Sequence, residues 1–270
     1  KESLANHKIA MKLEPNDPSL FFQIALTYHH SRQYDDAEEM IDRALQLVPD
    51  NQVNLQRKFW YQFYKHRDLN QLIDELYDLR KRLGDNNYSM TNQIVLALIM
   101  DRKYERALDE LNKVDDIYNI QQNGFMPYDF IRGNVFELMG LNDKAITLYN
   151  NAANLLEKEL LKNPKDIRIV SDLGMIYAYL NRNEDAIRMI ESAISEVPID
   201  KAYTDHGGYY NKKIEINLVL GETQKALKML DKSAKMFAGL HYVNLIHPKW
   251  DSIRNSSQFK VAINSLSVND

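Results

Sequence analysis

The stretch LEPNDPSLFFQIALTYHHSRQYDDAEEMIDRALQLVPDN, Leu13 to Asn51, decides how the rest of the chain is read. Pro15 and Pro49 stand 34 positions apart, and Ala10 and Ala44 keep the same interval. Between the prolines, Phe21, Ile24, Ala25 and Tyr28 recur at the three-and-four spacing of one helix face. Ala37, Ile41 and Ala44 do so on a second helix. The small residues at 25, 37 and 44 let two antiparallel helices approach closely. Phe21, Ile24, Tyr28 and Ile41 fill the seam between them.

The same arrangement returns along the chain. Val170, Leu173, Gly174, Tyr177, Ala186, Ile190, Ala193 and Pro198 make a second clear copy. Weaker copies carry Ile94, Val95, Leu98, Tyr104, Ala107, Leu111 and Val114; then Gly133, Phe136, Gly140, Ala145, Tyr149 and Ala152; then Tyr210, Gly221, Ala226, Leu230 and Ser233. The segment LQRKFWYQFYKHRDLNQLIDELYDL, Leu55 to Leu79, keeps a helix-turn-helix rhythm without the small residues. A second helix around NNAANLLEKELLKNP is expected to run about two turns longer than its counterparts before Pro164. Extra length near IYNIQQNGFMPYD and VPIDKAYTDHGG is expected in loops.

This pattern resembles the tetratricopeptide repeat over nearly the whole chain. The resemblance implies an all-α fold: stacked antiparallel helical hairpins in a right-handed superhelix, a solenoid of about six repeats with a C-terminal capping helix. The expected divisions are a half repeat at 1–15, repeats at 18–51, 52–87, 88–125, 126–166, 167–206 and 207–246, and a cap segment at 247–270. Ser3, His7 and Ala10 stand where a second helix would carry them, so the array is expected to begin mid-repeat, as a piece of a longer protein.

Composition agrees with such a chain. Nine glycines and seven prolines in 270 residues leave few helix breakers. A net charge of −4, with no basic stripe, argues against a nucleic-acid partner. Without cysteine there is neither a disulfide framework nor a thiolate metal site. The longest apolar run, IVLALIM (Ile94–Met100), is far short of the ~20 residues that cross a bilayer, so no membrane span is expected. A cytoplasmic setting is expected, with a periplasmic one left open because a signal could lie upstream.

No catalytic machinery stands out, and neither a cofactor nor a metal is expected. The histidines lack an HExxH pattern, and His29 and His30 read as surface or capping residues at a helix end. TDHGGYY, Thr204 to Tyr210, lacks a phosphate-loop pattern; Asp205 is expected as a helix N-cap and the two glycines as a turn. Tyr28, Tyr34, Tyr104, Tyr149 and Tyr177 fall at seam positions and read as core, not as stacking platforms for bases.

The resemblance also implies a groove lined by the first helix of each hairpin. Its positions carry over to Ser89, Asn92 and Met100; to Phe130, Asn134 and Glu137; to Arg168, Ser171, Met175 and Tyr179; and to Asn211, Lys212 and Glu215. Asn92, Asn134 and Asn211 recur at similar levels, and an amide both donates to and accepts from an extended peptide backbone. A solvated helix face is the competing reading. The carboxylate clamp of chaperone-binding relatives is missing, since Phe22, Leu26 and Arg57 occupy its places.

At the end of the chain, Pro248, Trp250, Asp251, Ile253, Arg254, Phe259 and Ile263 resemble the closing segment of tetratricopeptide regions in multidomain bacterial signalling proteins. Pro248, Trp250 and Phe259 are expected to cap the last seam, with Ser256 as the N-cap of a final helix. The function these resemblances imply is a non-catalytic module that binds a protein or peptide ligand in its groove, as the sensor or interaction region of a larger signalling protein. A stand-alone peptide receptor or assembly scaffold is the alternative.

Overall fold

The computed structural model describes residues 2–84, 90–115, 117–121, 124–198, 203–236 and 239–266, and they form two compact units, with a boundary at 97/98. The first holds α1 (Glu2–Leu13), α2 (Pro18–His30), α3 (Tyr34–Leu47), α4 (Gln52–His66) and α5 (Leu69–Leu83). The boundary falls inside α6 (Thr91–Met100). In the second lie α7 (Tyr104–Leu111), β1 (Tyr118–Gln121), β2 (Gly124–Pro127), α8 (Tyr128–Leu138), α9 (Asn142–Lys162), α10 (Ile167–Tyr179), α11 (Asn183–Ser195), α12 (Tyr203–Val219), α13 (Thr223–Lys235), α14 (Tyr242–Ile246) and α15 (Ser257–Leu266).

Local chemistry starts several of these helices. Asp17, Asn51, Asp68 and Asp166 each accept a backbone N–H from the first turn, two or three residues on, satisfying a donor that the helix itself cannot. Their ends share a sharper signature. The turns after α2, α4, α6, α8, α10 and α12 each contain a residue at left-handed φ: Arg32, Arg67, Arg102, Gly140, Asn181 and Gly221. In five of the six the next N–H reaches back to a carbonyl five residues earlier: Gln33 to Tyr28, Lys103 to Leu98, Leu141 to Phe136, Arg182 to Tyr177 and Glu222 to Asn217. This closes the last helical carbonyls in the same way each time. The structural repeat is therefore more regular than the sequence, which uses glycine at only two of these positions.

In the first unit, Ala25, Ala37 and Ala44 are fully buried and α2 packs along α3, as their size requires. The next hairpin lacks small residues and compensates with rings. Tyr34 stacks on Tyr64 at 4.4 Å, and Tyr61, Trp60 and Phe63 are buried nearby. His29 belongs to this cluster; it is buried, with its ring 5.6 Å from Tyr61, rather than on the surface as its helix-end position suggested. Tyr34, Tyr149 and Tyr177 are core residues, while Tyr28 and Tyr104 are half-buried.

The second unit packs α8 on α9, α10 on α11 and α12 on α13, and α10 also meets α12. Gly174 sits where an added methyl would stand 3.0 Å from Met189 Cβ and 3.2 Å from the Ala186 carbonyl, so the glycine sets the approach of α10 to α11. The long helix expected before Pro164 is α9, 21 residues. Two segments differ from the loops expected. Residues 118–127 contain an antiparallel hairpin pairing Tyr118 with Pro127 and Ile120 with Phe125. The Asp172 carboxylate of α10 accepts the Phe125 N–H at 2.5 Å, an anchor with no local sequence signal. Gly207 and Gly208 lie within α12, and so does Asp205, which is therefore not its N-cap. Two glycines cost a helix about 1 kcal/mol each, which the long run that follows them offsets.

The chain closes as the aromatic pattern suggests. Trp250 and Phe259 are buried with Leu227, Leu230 and Ile214, and α15 packs on α13. Trp250 Nε1 donates to the Asn244 carbonyl at 2.6 Å. Arg254 donates to the carbonyls of Leu245, Ile246 and His247, and Ser256 accepts the Phe259 N–H as N-cap.

Candidate functional site

Within the second unit, α8, α10 and α12 bring four of the groove residues around one cavity of about 380 Å³. Asn134 and Glu137 come from α8, Tyr179 from the end of α10, and Glu215 from α12. One turn further along α8 and α12, Leu138, Leu218 and Val219 supply apolar wall. The far side is formed by His247, Pro248, Lys249 and Ser252, where the chain turns towards its last helix.

A network of polar groups fixes this wall. The Tyr149 hydroxyl lies 2.7 Å from Glu137 Oε2 and 2.8 Å from the Asn134 amide. Tyr179 donates to Glu215 Oε1 at 3.1 Å, and Lys249 Nζ pairs with Glu215 Oε2. The rings of Phe130, Tyr149 and Tyr179 meet in pairs 5.2–5.4 Å apart, which holds both phenols rigidly. Burial, reinforced by the neighbouring glutamates, pushes both phenols well above the usual tyrosine range, so they remain neutral donors. His247 moves the opposite way. Burial first, then the charges of Lys249, Arg102 and Arg254, bring its imidazole down to about 2. Its Nδ1 accepts the Lys249 N–H at 3.2 Å, which leaves Nε2 carrying the proton.

The remaining groove residues lie elsewhere. Phe130, Ser171 and Met175 are buried, so they present no surface to a ligand, contrary to the expectation for them. Phe130 supports Tyr179, and the Ser171 hydroxyl accepts from Lys212 at 2.9 Å. Lys212 is committed to the buried Asp172, at 2.5 Å, and Arg168 to Asp166, at 2.6 Å. The Asn211 carbonyl takes the Ser233 hydroxyl at 2.7 Å. The amides of Asn134 and Asn211 thus already have intramolecular partners, and they do not form an unoccupied ladder. Asn92 is half-buried in the first unit, Met100 is buried, and Ser89 falls outside the described residues.

Sequence periodicity missed half of the cavity. Leu218 and Val219 follow Glu215 by one turn and were within reach of the helical spacing. His247, Lys249 and Ser252 arrive through the path of the chain after α14, which no spacing encodes. The segment predicted as a cap is a cavity wall as well.

Comparison with known proteins agrees with this architecture. A family model described as a tetratricopeptide repeat matches residues 20–55. A tetratricopeptide repeat protein from Parabacteroides merdae ATCC 43184 shares 14% identity over 96% of this chain and 89% of its own, with a TM-score of 0.50. The chain carries the tetratricopeptide-repeat fold. The C-terminal part of a repeat-containing protein from Cytophaga hutchinsonii is 15% identical, over 99% of this chain and 94% of that one, with a TM-score of 0.44. PilW, a type IV pilus biogenesis factor, is 13% identical over 91% and 98%, at 0.45. No curated protein matches the chain in sequence. At these identities the likeness is one of fold, which does not by itself assign a function.

Proposed function

We propose that the chain docks a protein or peptide segment on the face shared by α8, α10 and α12, with no chemistry of its own. The cavity carries this reading. It combines a preformed apolar wall with a few convergent polar groups, which is the composition of a recognition site. The wider setting we propose is the sensor or interaction region of a larger cytoplasmic bacterial signalling protein. Support for it comes from the closing segment, where Pro248, Trp250, Asp251, Ile253, Arg254 and Phe259 all take part in the packed end of the second unit.

A photo-crosslinking amino acid placed at Ser252 tests the docking reading, with Gln258 on α15 as the control position. Incubated with extract of the source cells, the Ser252 protein is expected to trap a discrete adduct that the Gln258 protein does not. Equal labelling from both positions, or none from Ser252, would remove the basis for this assignment.

A further inference from the structure

We propose that this cavity is a receptor for one cationic side chain, the ammonium of a lysine or the guanidinium of an arginine, carried by an extended partner segment. The proposal rests on the docking reading and adds the chemistry of what is docked.

Charge is the first argument. Three ionised groups line the cavity: Glu137, Glu215 and Lys249. Lys249 is paired with Glu215, which leaves one negative charge over, at Glu137. Glu137 accepts the Tyr149 hydroxyl on Oε2, and its second oxygen has no partner among the described residues. The remaining polar groups add no positive charge, because both phenols and the imidazole are neutral. A carboxylate ligand would have to detach Lys249 from Glu215, whereas a cation can pair with Glu137 and leave that ion pair in place.

Hydrogen bonding points the same way. The Tyr149 hydroxyl has one proton and two neighbours, and the charged Glu137 is the stronger acceptor. The Asn134 carbonyl faces the same phenol at 2.8 Å, and the Glu137 carboxylate keeps its second oxygen free for a ligand. A free carboxylate oxygen suits the donors of a guanidinium or an ammonium.

Shape completes the case. Leu138, Leu218, Val219 and Pro248 provide an apolar wall for the methylene stem that lysine and arginine carry behind their charge. At about 380 Å³ the cavity is near the small end for ligand sites and has room for an arginine or lysine side chain.

The test is a selection of random dodecapeptides displayed on phage against the full chain. Enriched peptides are expected to fix arginine or lysine at one position, at least ~10-fold above its input frequency. Replacing that residue in a synthetic peptide by citrulline or norleucine should weaken binding by ~10-fold or more, and Glu137→Gln should do the same. Lys249→Gln gives the contrary sign: by freeing Glu215 it should tighten the cationic peptide several-fold, whereas a carboxylate receptor would lose its ligand. Peptides enriched for acidic residues, or cationic peptides bound equally by wild type and Glu137→Gln, would overturn the proposal while leaving docking intact. If no peptide is enriched, the docking reading fails with it. Because Glu137 is exposed, the glutamine variant should melt within a degree or two of wild type, so that altered binding is read on folded protein.

Discussion

Lys212→Met should reveal how the second unit holds its β-hairpin. Lys212 Nζ lies 2.5 Å from Asp172, whose carboxylate is 1% exposed and also accepts the Phe125 N–H at 2.5 Å. Removing the ammonium strands a buried charge, which in general costs about 3–5 kcal/mol. The retained Phe125 hydrogen bond, of the kind worth about 1.5–3 kcal/mol, keeps the loss near the low end, about 3 kcal/mol. In a region of this size that corresponds to a fall in melting temperature of about 6–12 °C. Urea titration followed by far-ultraviolet circular dichroism measures it. The double variant Lys212→Met/Asp172→Leu removes both charges and should recover part of the loss, giving a coupling above ~1 kcal/mol in the cycle. Hydrogen exchange at the Phe125 amide should quicken in the double variant and in Asp172→Leu alone. A Lys212→Met protein within 0.5 kcal/mol of wild type, or a double variant equal to the sum of the singles, would refute this account of the anchor.

Further expectations concern helix spacing, turns, acid and the chain end. Gly133→Ala should destabilise by about 1–3 kcal/mol despite alanine's better helix propensity, because its Cβ would stand 2.6 Å from the Tyr149 ring; thermal melts would show it. Asn181, at φ 58°, should tolerate glycine with a gain of up to about 0.5 kcal/mol, whereas Asn181→Val should cost about 1–2 kcal/mol, both read from denaturant midpoints. His247 stays neutral when folded but titrates near 6.5 when unfolded, so the unfolded chain binds the extra proton below that pH. Stability should therefore be intact above pH 7 and decline by up to about 1.4 kcal/mol per unit between pH 6 and 4, with a smaller slope in His247→Asn. Trp250→Ala, which removes a side chain 2% exposed, should cost about 3–5 kcal/mol and expose the end of α13 to protease.

The fold was legible wherever a residue's own size or backbone preference made the structure. Ala25, Ala37, Ala44, Gly174, Ala186 and Ala193 announce close helix approach, and Trp250 with Phe259 announces a filled end. Legibility failed where partners come from afar. The β-hairpin at 118–127 is fastened by Asp172, about fifty residues later in the chain. The turns that carry Arg32, Arg67 and Arg102 at left-handed φ use a residue that has no preference for it. Of the groove positions taken from the repeat pattern, Asn134, Glu137, Tyr179 and Glu215 line one cavity. The same set also included Phe130, Ser171 and Met175, because the pattern marks a helix face and not how far neighbouring layers cover it. His247 and Lys249 were read only as part of a cap, although the same turn closes the cavity.

The most direct test of the account is a chemical-shift map of the ¹⁵N-labelled chain during titration with an arginine-bearing peptide from the selection. Perturbations should concentrate at Asn134, Glu137, Tyr179, Glu215, Val219 and Lys249, and should vanish when the arginine is replaced by citrulline. Shifts centred instead on α13 and α15, around Leu227 and Val261, would contradict the placement of the docking site.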